Sequence, residues 1–369
     1  MQFKKQELDF LQLFNLGKDN GTIFNDKIHI SASVQTKEVL FALQANDSMM
    51  YKTMKNETIS EDLLLNITID QINGLVQSVK DKDAIFTFTP TGIKFNKSKY
   101  DFEMIDVDVD PIHYIMKQVI EAEHTKVELK DLSKINIVKD SLGNEESSLN
   151  VIGIYNNHLV TSNVSDVTTI TNTASEISSE VFIPEKMINL LTRVKGIDDI
   201  TLNVYEEFYH YTIDEVNVIN TITASALQDV WEISDMFMHP HIVNIDKEEF
   251  VTLLNRISLI ASANLDERLH LTFSSNLIVL ESKDENTGYA REEYITEVPA
   301  EVAGQEIIVS VKYLKNIFGK FIGTNVEMLI AEDLSLKDPE EEPPITVTFR
   351  DKATDSLYIH NLYNPIIED

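Results

Sequence analysis

The chain has 369 residues, no cysteine, and 31 Lys+Arg against 61 Asp+Glu, a formal charge of −30 at pH 7. The length is that of two or three domains, and an apolar content of 43% is enough for an ordinary core. Lack of cysteine excludes disulfides, thiolate nucleophiles, zinc–thiolate sites and iron–sulfur clusters, and the acidity excludes holding nucleic acid or anionic membrane by bulk attraction.

The opening MQFKKQELDF carries charge where a secretory signal has an apolar stretch, and no run approaches the roughly 20 apolar residues of a membrane span. A soluble, cytoplasmic protein is expected.

In chain order, helical spacing first occurs at Leu8/Leu11/Phe14, followed by a strand over Lys27–Val34, a helix through Ile72/Leu75/Val76/Val79 and a strand over Ala84–Phe88. Asp106 to Asp110 alternates Asp and Val. It mimics the start of a calcium loop, but the sixth and twelfth places are Pro111 and Lys117 where Gly and Glu are needed. It reads instead as a strand with one wet face, ended by a proline at a helix start. The helix continues through Ile112/Ile115/Met116/Val119/Ile120. Strands follow over Ile135–Val138 and Val151–Tyr155, a helix through Met187/Leu190/Leu191/Val194, and strands over Ile200–Tyr205 and Val216–Ile222. The last third has a helix through Phe250/Leu253/Leu254/Ile257/Ile260/Ala261, strands over Leu269–Phe273, Leu277–Leu280 and Ile307–Val311, a helix through Leu314/Ile317/Phe318/Phe321 and a strand over Ile345–Phe349.

The helical windows are spaced regularly. With the second apolar residue as anchor, first and second helices lie 64, 75 and 64 residues apart, and successive second helices 115 and 127 apart. A threefold internal repeat is the simplest reading. Each unit is helix, strands, helix, strands, an α+β architecture with helices on antiparallel sheets, and strands of successive units can join into longer sheets. The expected divisions are 1–103, 104–240 and 241–369.

Enzymatic and metal motifs fail. His239-Pro240-His241 has no placed carboxylate partner, Gly319-Lys320 lacks the first P-loop glycine because Leu314 stands there, and no nucleophile elbow or zinc-protease motif occurs. No cofactor, metal or catalytic residue is expected.

Three stretches, Ile112–His124 (IHYIMKQVIEAEH), Gly153–Val160 (GIYNNHLV) and Val181–Lys195 (VFIPEKMINLLTRVK), in order and spacing, resemble the middle domain of the bacterial-type DNA sliding clamp, the β subunit of DNA polymerase III. Phe250–Asn276 and Val309–Phe318 (VSVKYLKNIF) resemble its third domain, and residues 1–103 resemble it in length and pattern only. The resemblance implies a head-to-tail homodimeric ring that encircles duplex DNA and has no catalytic activity. It also implies a hydrophobic cleft between the second and third domains that takes peptides of polymerase and other partners, and a clamp loader that opens the ring. Such a protein works at the nucleoid.

The charge distribution fits that implication. The six helical windows, residues 4–18, 70–82, 111–123, 184–195, 247–262 and 312–321, carry +1, 0, −1, +2, 0 and +3, a net +5 against −35 elsewhere. A lining need only avoid repelling phosphate, and Lys117, Lys186, Arg193, Lys195, Arg256, Lys312, Lys315 and Lys320 are its expected DNA-facing residues. By the same resemblance one wall of the peptide cleft is Tyr155, Asn157, His158 and Val160, with Asn156-Asn157-His158 where the family has Asp-Gly-His. Asn tolerates the left-handed backbone that Gly would take there. The other wall is Met236 and Phe237 of the interdomain linker, with Leu362 and Tyr363 near the C-terminus; Met side chains suit a groove that accepts several peptides. Here the chain continues past the family's usual ending through Pro365, Ile366 and Ile367. The competing readings are a β-rich structural or assembly protein of a virus particle and an acidic hydrolase.

Overall fold

The computed structural model describes residues 1–18, 26–44, 48–102, 122–142, 149–163, 167–175, 181–222, 225, 227, 238–261, 268–284, 288–331 and 346–362. Within these the elements come in three similar runs. The first is β1 (Gln2–Lys4), α1 (Leu11–Gly17), β2 (Lys27–Ser33), β3 (Glu38–Gln44), β4 (Ser48–Lys55), β5 (Leu63–Thr68), α2 (Ile69–Ser78), β6 (Ile85–Thr89), β7 (Gly92–Phe95) and β8 (Ser98–Asp101). The second is β9 (Thr125–Leu129), α3 (Ile135–Val138), β10 (Val151–Tyr155), β11 (His158–Ser162), β12 (Val167–Asn172), β13 (Val181–Pro184), α4 (Glu185–Arg193), β14 (Ile200–Val204), β15 (Phe208–Ile213) and β16 (Val216–Thr221). The third is β17 (His241–Asp246), α5 (Lys247–Ala261), β18 (Arg268–Ser274), β19 (Leu277–Asp284), β20 (Gly288–Ile295), β21 (Glu306–Ser310), α6 (Val311–Lys320), β22 (Asn325–Ile330), β23 (Thr346–Asp351) and β24 (Ser356–Asn361).

The chain packs as two compact units, Met1–Leu132 with Pro184–Thr223, and Ser133–Ile183 with Ala224–Asp369. The first holds a four-stranded sheet, β1-β6-β7-β8, and an eight-stranded sheet, β5-β2-β3-β4-β16-β15-β14-β9. The second holds the eight-stranded β13-β10-β11-β12-β24-β23-β22-β17 and the four-stranded β20-β19-β18-β21. The units cut across the second run because its two quartets of strands pair with different neighbours. β16 meets β4 (Asn217 opposite Tyr51), and β12 meets β24 (Val167 opposite His360). These joins are the longer sheets that repeating units allow.

Each helix lays an apolar face on its sheet. In α4, Met187, Ile188, Leu190 and Leu191 are buried while Asn189 and Arg193 are exposed, the 3.6-residue periodicity of a half-buried helix. In α6, Val311, Leu314, Ile317 and Phe318 are buried, and Ser310 Oγ accepts from Tyr313 N–H at the helix start, a cap for an otherwise orphan donor. The core of the second unit is aromatic at its centre. Phe318 lies 5.1 Å from Phe250, 5.1 Å from Phe321 and 5.6 Å from Phe349 by ring centroid. In the first unit Phe41 holds Phe3, Phe10 and Phe88 edge-on.

Five of the six helical windows coincide with helices; residues 111–121 of the window at 111–123 lie outside the described residues. Ile135–Val138, which reads as a strand, is the helix α3. Ile135 and Val138 are both fully buried, so an i, i+3 pair faces the sheet where alternation would have split them. Two hydroxyl bonds hold this turn and the next: Thr161 Oγ1 donates to Val138 O at 2.9 Å, and Ser141 and Thr169 share a hydrogen bond of 2.6 Å. By element order α3 occupies the first-helix place of the second run.

Candidate functional site

The cations expected to face DNA fall into two groups. Lys315 Nζ donates to Ser258 Oγ on α5 at 3.2 Å, Lys320 Nζ donates to Ile137 O at 3.2 Å, and Arg256 pairs with Glu292 at 3.5 Å. Lys186 is half-buried on α4. Arg193, Lys195 and Lys312 are exposed and have no ion-pair partner among the described residues. Helix α6 contains no acid, so the exposed side that Lys312 shares with Asn316 and Gly319 is cationic only. Lys117 lies outside the described residues.

The residues expected to form the peptide cleft are split between the two ends of one strand pair. Tyr155, Asn157 and His158 belong to the β10–β11 hairpin, where Asn156 takes the left-handed conformation with φ 51°. Tyr155 and Val160 are buried in a cluster with Val151, Ile170, Leu227 and Ile359. His158 lies opposite Asn172, whose Nδ2 donates to Asp355 Oδ2 at 3.3 Å. Burial pushes the His158 imidazole below its ordinary range, partly offset by Asp355. Leu362 follows β24, whose His360 lies opposite Val167. Five residues of β12 separate Asn172 from Val167, roughly 17 Å at about 3.3 Å per residue. The structure therefore does not bring the Asn157–His158 turn to Leu362. Tyr155-Asn156-Asn157-His158 has the look of the family turn but lies at the opposite end of the sheet from Leu362, and sequence likeness over four residues could not distinguish the two ends. Met236, Phe237 and Tyr363 lie outside the described residues.

At the Leu362 end one row crosses the sheet: His241, Ile330, Val347, His360 and Val167. Beyond it the start of β23, the end of β24, residues 238–240 and the N-terminus of α6 converge. His239 Nε2 and Thr346 Oγ1 hydrogen-bond at 2.9 Å, and burial lowers the His239 pKa. Buried His360 accepts at Nε2 from Ser310 N–H (3.2 Å), which places the proton of the neutral ring on Nδ1. Tyr313 sits edge-on to His360 at 5.7 Å. Leu362 is half-buried against the core, and Met238 is 41% exposed.

Apolar side chains beside hydrogen-bond donors and acceptors can bind a peptide. Sequence reasoning missed Ser310, Tyr313, Thr346 and His360; the signal available was that linker and C-terminus must share one end of the sheet. Among the described residues no three His, Asp or Glu are grouped to hold a metal ion, and no helix is long and apolar enough to cross a membrane.

No protein-family model and no curated protein sequence matches the chain. Solved structures match over almost its whole length. The DNA polymerase sliding clamp of Pseudomonas aeruginosa superposes with a TM-score of 0.77 at 13% identity over 99% of each chain. That of Caulobacter crescentus gives 0.77 at 14% identity over 98% of this chain and 99% of its own. The DNA polymerase III β subunit of Thermotoga maritima gives 0.77 at 14% over 98% of each. The chain has the fold of the bacterial DNA polymerase sliding clamps.

Proposed function

We propose that this protein is a DNA sliding clamp, a non-catalytic processivity factor that encircles duplex DNA and tethers a polymerase. The observation that carries the reading is the likeness to sliding clamps over 98–99% of both chains. The sheet edges support it. Every join between strand quartets uses the last strand of a three-strand meander: β4 with β16, and β12 with β24. Two such strands, β8 and β20, end their sheets without a partner among the described residues. Pairing β8 of one copy with β20 of another completes a third kind of eight-stranded sheet, and done twice it closes two copies head to tail. Exposed Tyr100 on β8 and exposed Tyr289 and Ile295 on β20 suit such a joint. The domains are then residues 1–103, 104–240 and 241–369, matching the three runs of elements.

In this reading Arg193, Lys195 and Lys312 face phosphate, with Lys117, Lys186, Arg256, Lys315 and Lys320 as further members of the lining, and a loader opens the ring. The peptide site is the Leu362 end of the second unit's long sheet, with Met236, Phe237 and Tyr363 contributing from the adjoining segments. The direct test loads the protein on nicked circular DNA. A clamp stays on the circle through gel filtration and is lost when the circle is linearised; equal loss from both forms overturns the proposal. For the peptide site, Leu362→Asp abolishes binding of a partner-derived peptide while Asn157→Asp leaves it unchanged. The reverse result moves the site to the hairpin.

A further inference from the structure

The first unit contains a cleft of about 610 Å³, and two residues of its rim, Arg193 and Lys195, are also members of the proposed DNA lining. Its apolar wall is Phe10, Leu13 and Leu16 of the α1 segment with Met54 of β4 and Val194 after α4. In the second unit Lys320 bonds to Ile137 O, and Ile137 packs on the core.

The rim is mixed, with Glu7, Asp9, Asp214 and Glu215 against Lys52, Arg193 and Lys195, and its acidic turn is held in place. Asp214 and Glu215 form the β15–β16 turn with φ of 46° and 65°. Such a two-residue turn ordinarily takes Asn-Gly, because both central residues have positive φ, and Asp-Glu occupies it at a conformational cost. One fixture of that turn is Lys52, which pairs with Glu215 at 2.9 Å and lies 5.0 Å over the Phe10 ring. The Lys52 ammonium holds the Glu215 carboxyl below its usual range. Asp9 and Asp214 carry no such partner among the described residues and border the same space. A chain of net charge −30 also steers cationic partners toward itself.

We infer that this cleft is a docking site for a short peptide of a partner protein, one whose apolar side chain enters between α1 and Met54 and whose flanking Lys or Arg meets Asp9 and Asp214. Arg193 and Lys195 on the remaining rim disfavour a fully cationic peptide, so the occupant is mixed, apolar with isolated basic residues.

The lack of native cysteine makes a single-site probe simple. Gln12→Cys, exposed at the cleft, is labelled with bimane, and Thr252→Cys on α5 of the second unit serves as a control. The probes are the peptides acetyl-Lys-Leu-Met-Arg-amide and acetyl-Glu-Leu-Met-Glu-amide. The basic peptide shifts the Gln12→Cys emission saturably and leaves the control unchanged, while the acidic peptide does neither. Asp9→Asn with Asp214→Asn raises the dissociation constant about tenfold; Asn accepts the left-handed turn at 214, so the fold is kept and thermal unfolding confirms it. Equal response to both peptides, equal response at the control site, no saturation, or unchanged affinity in the double variant overturns the inference.

Discussion

Arg193, Lys195 and Lys312 differ from the neighbouring helix cations in having no side-chain hydrogen-bond or ion-pair partner among the described residues. Lys315 and Lys320 already spend their ammonium groups on Ser258 and Ile137 O, and Arg256 faces Glu292. Converting the three exposed cations to Glu lowers retention on circular DNA and flattens its salt dependence, the log–log slope falling by about one for each phosphate that is no longer neutralised. Arg256→Glu changes both less, and Lys320→Glu acts mainly on stability. Retention assays across a salt series check this, and equal slopes for wild type and the triple variant contradict it. Histidines give a second test at this scale. Burial holds His158, His210 and His239 below the ordinary range, with the His210 ring bonded to Asn217 and facing His124. As pH falls the unfolded chain takes up these protons first. Their stabilising share is therefore full above about pH 6.5 and is lost as pH drops below it. Relief of the −30 charge acts the other way on acidification, so the informative quantity is a difference. Relative to His210→Gln, the wild type loses melting temperature as pH goes from neutral toward 5. A difference that stays constant would show that His210 does not titrate differently on folding.

At the scale of elements, α3 carries the most specific prediction. Ile135→Ala removes a fully buried side chain and costs about 2–5 kcal/mol, while Asn136→Ala, on the exposed side, costs almost nothing; urea unfolding of both separates them. If the segment were the strand its β-branched residues imply, Asn136 would share the cost. Helices α2, α4, α5 and α6 were legible because each carries an apolar stripe long enough to fix its period. Ile135–Val138 was not legible, because four residues cannot distinguish a buried helical turn from a buried strand, and packing against β11 and β12 decided it. The candidate site was legible as composition and not as position. Linker and C-terminus were expected to wall an apolar groove, but which hairpin end lies near the C-terminal strand depends on the register of β12 against β24, a long-range pairing with no local trace. Edge strands give the other prediction at this scale. Tyr100→Asp with Ile295→Asp puts charge on the two open edges and yields a 42.0 kDa species by light scattering where the wild type gives about twice that. A dimer surviving in the double variant excludes these edges as the joint.

At the scale of the molecule, three runs of eight strands share one plan, and the acidic excess lies off the helical windows. A tether needs no strong attraction to DNA if it is linked topologically, so a net charge of −30 and a few exposed helix cations are compatible with one another. In the proposed ring an acidic exterior would limit adventitious contact, and the scarce cations would need only to keep the lining from repelling phosphate. This account stands on closure. Negative-stain electron microscopy of the purified protein tests it most directly: class averages are predicted to show an annulus with a hole wider than a DNA duplex, and a filled globule or an open arc would contradict it.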